Sequence, residues 1–183
     1  MKELTVAELL SRREELVVGE KILLSGTIYT ARDAAHKRML ALLREDKPLP
    51  FEMKDALIYY AGPTPPYKGR PAGACGPTTS GRMDVYAPTL YDLGLAATIG
   101  KGERGKDVVD AIRRNKALYL CAVGGAGALI AESIKQIEVI AFDDLGCESV
   151  KKMTVEKMPL TVAVDTRGND IFARLTGGDP RAL

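Results

Sequence analysis

Ala117-Leu-Tyr-Leu-Cys-Ala-Val-Gly-Gly-Ala-Gly-Ala-Leu-Ile-Ala-Glu-Ser-Ile-Lys135 reads as a buried strand, a glycine turn and a helix. The apolar run Ala117–Val123 has the length of a strand, and Ala128–Lys135 carries the helical part of the unit. Strand–turn–helix alternation of this kind places the chain in the α/β class. Gly124-Gly-Ala-Gly127 resembles a phosphate-binding turn, although its spacing is not G-x-G-x-x-G and no acidic residue ends a strand about 20 residues on. Close packing of the helix on the sheet accounts for the same glycines.

Upstream the alternation continues. Asp107-Val-Val-Asp-Ala-Ile-Arg-Arg-Asn115 is a helix with Asp107 as its expected cap and basic residues at its end, where the dipole favours them. Leu95–Gly100 is a strand, and Lys101 stands at its end in the glycine-flanked Lys101-Gly-Glu-Arg-Gly105. Ligands of open α/β sheets collect outside such strand ends. Arg82 to Leu93 reads as a helix interrupted at Pro88. Ala56–Gly62 is a short buried strand, and the proline- and glycine-dense Gly62–Pro71 is a long semi-rigid loop. Ala31–Arg44 is a helix with Asp33 as expected N-cap and Ala35, Met39, Leu42 and Leu43 near one face. Leu16–Thr30 reads as two strands or one bulged strand, and Thr5…Glu8 has the form of a capping box opening a short helix.

Downstream, Ile137–Phe142 and Leu160–Thr166 read as strands, with turns at Asp143–Glu148 and Arg167–Asp170 and a mixed stretch over Val150–Met158. A frayed tail is expected over 176–183. Strands dominate both ends, so the sheet is expected to be mixed. The 183 residues suit one domain over 1–183.

Composition narrows the function. The 26 basic and 24 acidic residues leave a net charge of +2, which gives no footprint for nucleic acid. There is no apolar run near 18 residues and no apolar segment behind Met1-Lys-Glu-Leu-Thr, so a cytoplasmic protein with no membrane partner is expected. Cys75, Cys121 and Cys147 are far apart and show no C-x-x-C, so no disulfide framework or metal ligand set is assigned to this chain. Cys121 is expected in the core, Cys147 as a structural turn residue and Cys75 as a loop filler. His36 is the single histidine, which excludes a multi-histidine metal cage.

Chemistry concentrates in Gly73-Ala-Cys-Gly-Pro-Thr-Thr-Ser-Gly-Arg-Met-Asp84. Glycines let backbone approach a ligand closely, Thr78, Thr79 and Ser80 offer hydroxyls, and Arg82 offers a planar fork suited to a carboxylate or phosphate. Two readings stand: a loop that wraps a small anion, or a turn that caps a helix through Ser80 or Thr79. Arg32, at a strand-to-helix junction where the dipole favours an anion, is either a ligand residue or an exposed arginine paired with an acid.

Five segments occur in order: Arg32-Asp-Ala-Ala-His-Lys-Arg38, Gly76-Pro-Thr-Thr-Ser-Gly-Arg-Met-Asp84, Ile99-Gly-Lys-Gly102, Val123-Gly-Gly-Ala-Gly-Ala128 and Asp165-Thr-Arg-Gly-Asn-Asp170. Together they resemble the beta subunit of iron–sulfur (class I) fumarate hydratases and the related tartrate dehydratases, in some members the C-terminal half of one long chain. The first two motifs are the specific ones. The resemblance implies a swivelling β/β/α domain with a mixed sheet, carrying half of an active site. It implies a hydro-lyase that interconverts fumarate and malate, or one acting on tartrate, as a hetero-oligomer with a separate alpha subunit. That partner would hold a 4Fe–4S cluster on three cysteines, with one iron left open as a Lewis acid. Carried over by residue, Arg32, Arg82 and Lys101 would bind the carboxylates of a small dicarboxylate and Thr78 would be the catalytic base. Gly76, Thr79, Ser80 and His36 would support them. A non-catalytic scaffold subunit and a nucleotide-binding module using Gly124–Gly127 are the rival expectations.

Overall fold

Thr5 closes a capping box with Glu8: its hydroxyl accepts from the Glu8 N–H while the Glu8 side chain takes the Thr5 N–H. In the computed structural model, which describes residues 1–176, this box turns the first strand into the first helix. The elements follow as β1 (Lys2–Thr5), α1 (Val6–Arg12), β2 (Lys21–Thr30), α2 (Asp33–Arg44), β3 (Leu57–Tyr59), α3 (Ala87–Asp92), β4 (Ala97–Gly100), α4 (Lys106–Arg114), β5 (Leu118–Cys121), α5 (Gly127–Ser133), β6 (Ile134–Ala141), β7 (Val150–Val164) and α6 (Ile171–Thr176). Apart from Thr176, the expected tail lies outside the described residues. Among those residues no helix is long and apolar enough to cross a membrane.

The sheet is mixed, as expected. Its order is β1-β2-β3-β4-β5-β7-β6, with β1 to β5 parallel and β7 antiparallel to its neighbours. A further antiparallel pairing runs β7 along β2, from Lys21↔Thr161 to Thr30↔Lys151. It closes β2, β3, β4, β5 and β7 into a ring, which leaves β1 and β6 at the margins. Between Leu24 and Gly26 the register shifts, and the Lys157 N–H donates to Ser25 Oγ there (2.9 Å).

Side chains alternate across the strands into two cores. Leu57, Tyr59, Ile99, Leu118 and Leu120 pack with Ile22, Leu24, Met153, Val155 and Val162 in one cluster between the sheet halves. Ile58, Tyr60, Tyr119 and Ala163 face the other way and pack against Ala35 and Met39 of α2, Leu90 of α3, and Val108 and Ile112 of α4. Helices α2, α3 and α4 thus cover one side of the sheet, in a mixed α/β fold as expected.

Several local expectations are corrected. Arg32, not Asp33, is the N-cap of α2, and it makes no side-chain cap bond. Gly105, not Asp107, occupies the N-cap of α4; Asp107 lies in its first turn and still meets the dipole. The segment 82–93 is no interrupted helix. A 3-10 turn over Ser80–Met83 is followed by α3, which Pro88 helps to start, because a missing N–H costs nothing in a first turn. The mixed stretch over 150–158 joins the next strand across Pro159 to make β7. Cys121 is half-buried, whereas Cys75 is buried and Cys147 exposed.

Candidate active site

The parallel strands β2, β3, β4 and β5 all end on one rim, and the 73–84 segment is laid across it. Its backbone is bonded to one strand exit after another. The Thr78 N–H donates to Tyr60 O (2.7 Å) beyond β3, and the Ser80 N–H to Lys101 O (2.9 Å) beyond β4. Cys75 N–H donates to Gly127 O (2.9 Å) at the start of α5. The segment is therefore a short cross-brace of the strand ends, and it brings Thr79 and Ser80 beside Lys101, with Thr78 at the exit of β3, Gly76 against Gly127 and Arg82 against Asp33.

Small residues make the brace possible. A Cβ on Gly100 would land on Ser80 Oγ, and one on Gly127 would lie 3.0 Å from Gly76 N. Ser80 is buried: its Oγ accepts from the Lys101 N–H (3.1 Å) and lies 2.9 Å from the Tyr119 hydroxyl, which also donates to Gly102 O (2.7 Å). Thr79 takes the N-cap position of the 3-10 turn, as one reading expected, but supplies no side-chain cap bond. Among the described residues the Thr78 and Thr79 hydroxyls have no hydrogen-bond partner, and the Lys101 ammonium has neither a hydrogen bond nor an ion pair.

Arg104, which sequence reasoning missed, holds the far side of the brace. Its side chain is wholly buried, donating to Asp84 (2.7 Å), Thr98 (3.0 Å) and Tyr60 (3.4 Å) between the Tyr60 and Tyr119 rings. Asp84 in turn accepts from the Gly105 N–H (2.6 Å). This buried guanidinium locks the loop by charge and by stacking. Within Lys101-Gly-Glu-Arg-Gly105, nothing in the sequence separates it from a solvated arginine.

Arg82 faces outward and is half exposed, with Nε and Nη2 donating to the two Asp33 oxygens (2.9 and 2.8 Å). Arg32 is mostly covered. Its Nη2 lies 3.6 Å from Glu148 and its Nε 3.9 Å from Asp33, and that Nε–H is buried without a hydrogen-bond partner. An acid thus stands near Arg32, as one sequence reading expected, although the side chain is mostly covered rather than exposed, and donor capacity is left over. Glu148 also accepts from the Ala34 N–H (3.0 Å) in the first turn of α2. The turn that carries Glu148 is fastened by the Lys151 ammonium, which donates to the carbonyls of Gly146, Cys147 and Ser149. Glu148 and Lys151 left no mark in the motifs, because they reach the rim from the far end of the chain.

His36 is fully buried under Arg32. Its backbone N–H and its Nδ1 both bond the Arg32 carbonyl at 2.8 Å, so Nδ1 carries the proton and Nε2 is a bare acceptor with no partner. Burial lowers its pKa from 6.5 to about 4; the bond to Arg32 works the other way, and the nearby Arg104 charge adds to the fall. The ring is neutral at neutral pH and fixes the backbone from which Arg32 projects.

A cluster would need a set of thiolates. Among the described residues no group of three His, Cys, Asp or Glu is placed to hold a metal ion, and burial pushes the Cys75 thiol up to about 12. The described residues do not fit an iron–sulfur cluster.

A profile of the family described as "Fumarase C-terminus" matches residues 2–175. The chain is 42% identical over 159 residues to "Fumarate hydratase 2" of Leishmania major, covering 86% of this chain and 28% of that protein. It is 38% identical over 166 residues to "Putative L(+)-tartrate dehydratase subunit beta" of Methanocaldococcus jannaschii, covering 87% and 85%. To "L(+)-tartrate dehydratase subunit beta" of Escherichia coli K12 it is 32% identical over 165 residues, covering 87% and 81%. The chain thus spans less than a third of the length of fumarate hydratases such as the first, and most of the length of the tartrate dehydratase beta subunits.

Proposed function

Because this chain belongs to the fumarase C-terminus family, we propose that it is the beta subunit of an iron–sulfur hydro-lyase that interconverts fumarate and (S)-malate. The active site is completed by a separate alpha subunit, in the cytoplasm. The observation that carries this reading is the set of groups left unsatisfied on one rim: the Lys101 ammonium, the Arg32 Nε–H and the Thr78 hydroxyl. Unpaired donors of this kind suit a small dianion, and a C4 dicarboxylate needs two anion sites.

Arg32, Arg82 and Lys101 grip and orient the two carboxylates. They also stabilise the negative charge that builds when a proton leaves the carbon next to one of them. Thr78 exchanges that proton. Its alcohol is a weak base at neutral pH, so it works only where cations lower the cost of its charged form. Thr79 lines the same edge, Ser80 and Gly76 hold the brace, and His36 fixes Arg32. The 4Fe–4S cluster belongs to the alpha subunit, since this chain's cysteines do not fit one.

Mixing this chain with its anaerobically prepared alpha subunit and following fumarate absorbance on adding malate tests the reading. Activity that needs both chains supports it, and an isolated alpha subunit with full activity makes this chain a scaffold. Tartrate is the second reading, favoured by the near full-length match to tartrate dehydratase beta subunits. One added hydroxyl is discriminated by contacts in the completed site, so comparing turnover on malate and tartrate ranks the two.

A further inference from the structure

We infer that Asp33 is a positioning residue that aims both arginines of the proposed site. This inference rests on the dicarboxylate reading and extends it to a residue outside the carried-over set. Asp33 is the first residue of α2, next to the N-cap Arg32. Its two oxygens accept from Arg82 Nε and Nη2 at 2.9 and 2.8 Å, and the second oxygen also lies 3.9 Å from Arg32 Nε. One carboxylate thus stands between two guanidiniums that come from separate elements, the 3-10 turn and the start of α2.

The chemistry of the fork gives this arrangement its consequence. A guanidinium has five N–H groups in a plane. Asp33 engages the Nε/Nη2 edge of Arg82, which leaves the Nη1/Nη2 edge free for a second bidentate carboxylate. A half-exposed arginine on a loop would otherwise sample many rotamers, and ordering it on substrate binding costs free energy. With Asp33 in place that ordering is done beforehand. The same acid stands 3.9 Å from Arg32 Nε without a hydrogen bond, so its charge draws the second guanidinium towards the site while leaving that N–H free. An N-cap acid would use its oxygens on the helix N–H groups. Asp33 is one position too late for that, and the α2 amide at Ala34 takes Glu148 instead.

The test uses the assembled complex, comparing wild type with Asp33→Asn for KM and kcat on malate and for melting temperature. Asn preserves shape but cannot hold a bidentate guanidinium. The expected result is a KM raised roughly two- to fivefold, the upper range of an exposed but well-formed ion pair. kcat should fall by a smaller factor than KM rises, because a misaimed Arg82 loses its bidentate grip in the ground state while its charge stays at the site to stabilise the transition state, and melting should stay within a few degrees. In an Arg82→Lys background, where the fork is gone, the further KM rise from Asp33→Asn should shrink to less than half. An unchanged KM in an active complex overturns the inference alone, as does an undiminished rise in the Arg82→Lys background. A wild-type complex inert towards both malate and tartrate overturns the reading beneath it as well.

Discussion

Arg82 and Arg104 are two arginine–aspartate pairs that meet the same loop, and they differ in almost everything but partner chemistry. Arg104 pairs with Asp84 at 2.7 Å with no side-chain exposure, enclosed by Thr98 and two tyrosine rings. Arg82, two residues before Asp84, pairs with Asp33 at 2.8 Å with half its side chain in the open. The buried pair has no donor edge left for anything outside; the open pair does. A cation that holds the fold and one proposed to hold a ligand thus differ in what remains unused, not in the ion pair itself.

That contrast breaks first at Arg104. Arg104→Met leaves Asp84 without its cation and removes the stacking between Tyr60 and Tyr119. Breaking a buried pair costs about 3–5 kcal/mol, so urea denaturation should show a loss of that size. A loss under about 1 kcal/mol would place Arg104 with the surface pairs.

His36 gives the next effect. Its folded pKa of about 4 lies below the ordinary 6.5 because the ring is buried. The unfolded chain therefore binds the extra proton first as pH falls. The contribution is fully present above pH 6.5 and is lost as pH drops towards 4, on the order of 3 kcal/mol in all. Denaturation between pH 7 and pH 4 should show this fall, and His36→Gln should flatten it. An equal slope in both proteins would mean that the imidazole is solvated.

Gly100→Ala sharpens the comparison from the strand side. The new methyl meets Ser80 Oγ, which cannot swing away because it is held by Lys101 N–H beside Tyr119. Overpacking of this kind costs about 1–3 kcal/mol. The displaced brace should also lower activity in the assembled complex. Unchanged stability in a melting experiment would show that the crossing is looser than its hydrogen bonds suggest.

The sequence was most readable where a residue's role is local. The capping box at Thr5, the apolar runs of the strands and the glycine crossings follow from propensity and sterics. So did the rim: Lys101 at a strand end and the 73–84 loop lie together on it. Legibility ended where partners come from afar. The N-cap assignment to Asp33 failed because a short acid before a helix has the same appearance whether it bonds the helix or a distant arginine. Arg104 was invisible because its burial depends on Tyr60 and Tyr119 folding over it. Glu148 reaches α2, with Lys151 fastening the turn that carries it, only through the β2–β7 pairing, which the mixed pattern and Pro159 in β7 conceal.

The smallest stability effect belongs to Arg82, and it carries the most direct test. Arg82→Ala in the assembled complex should leave the melting temperature nearly unchanged, since an exposed ion pair contributes at most about 1 kcal/mol. Turnover should fall about 100-fold or more, the scale of losing a group that stabilises charge in the transition state. Turnover near that of wild type, or a loss of activity matched by a collapse in melting, would contradict a ligand-binding open half.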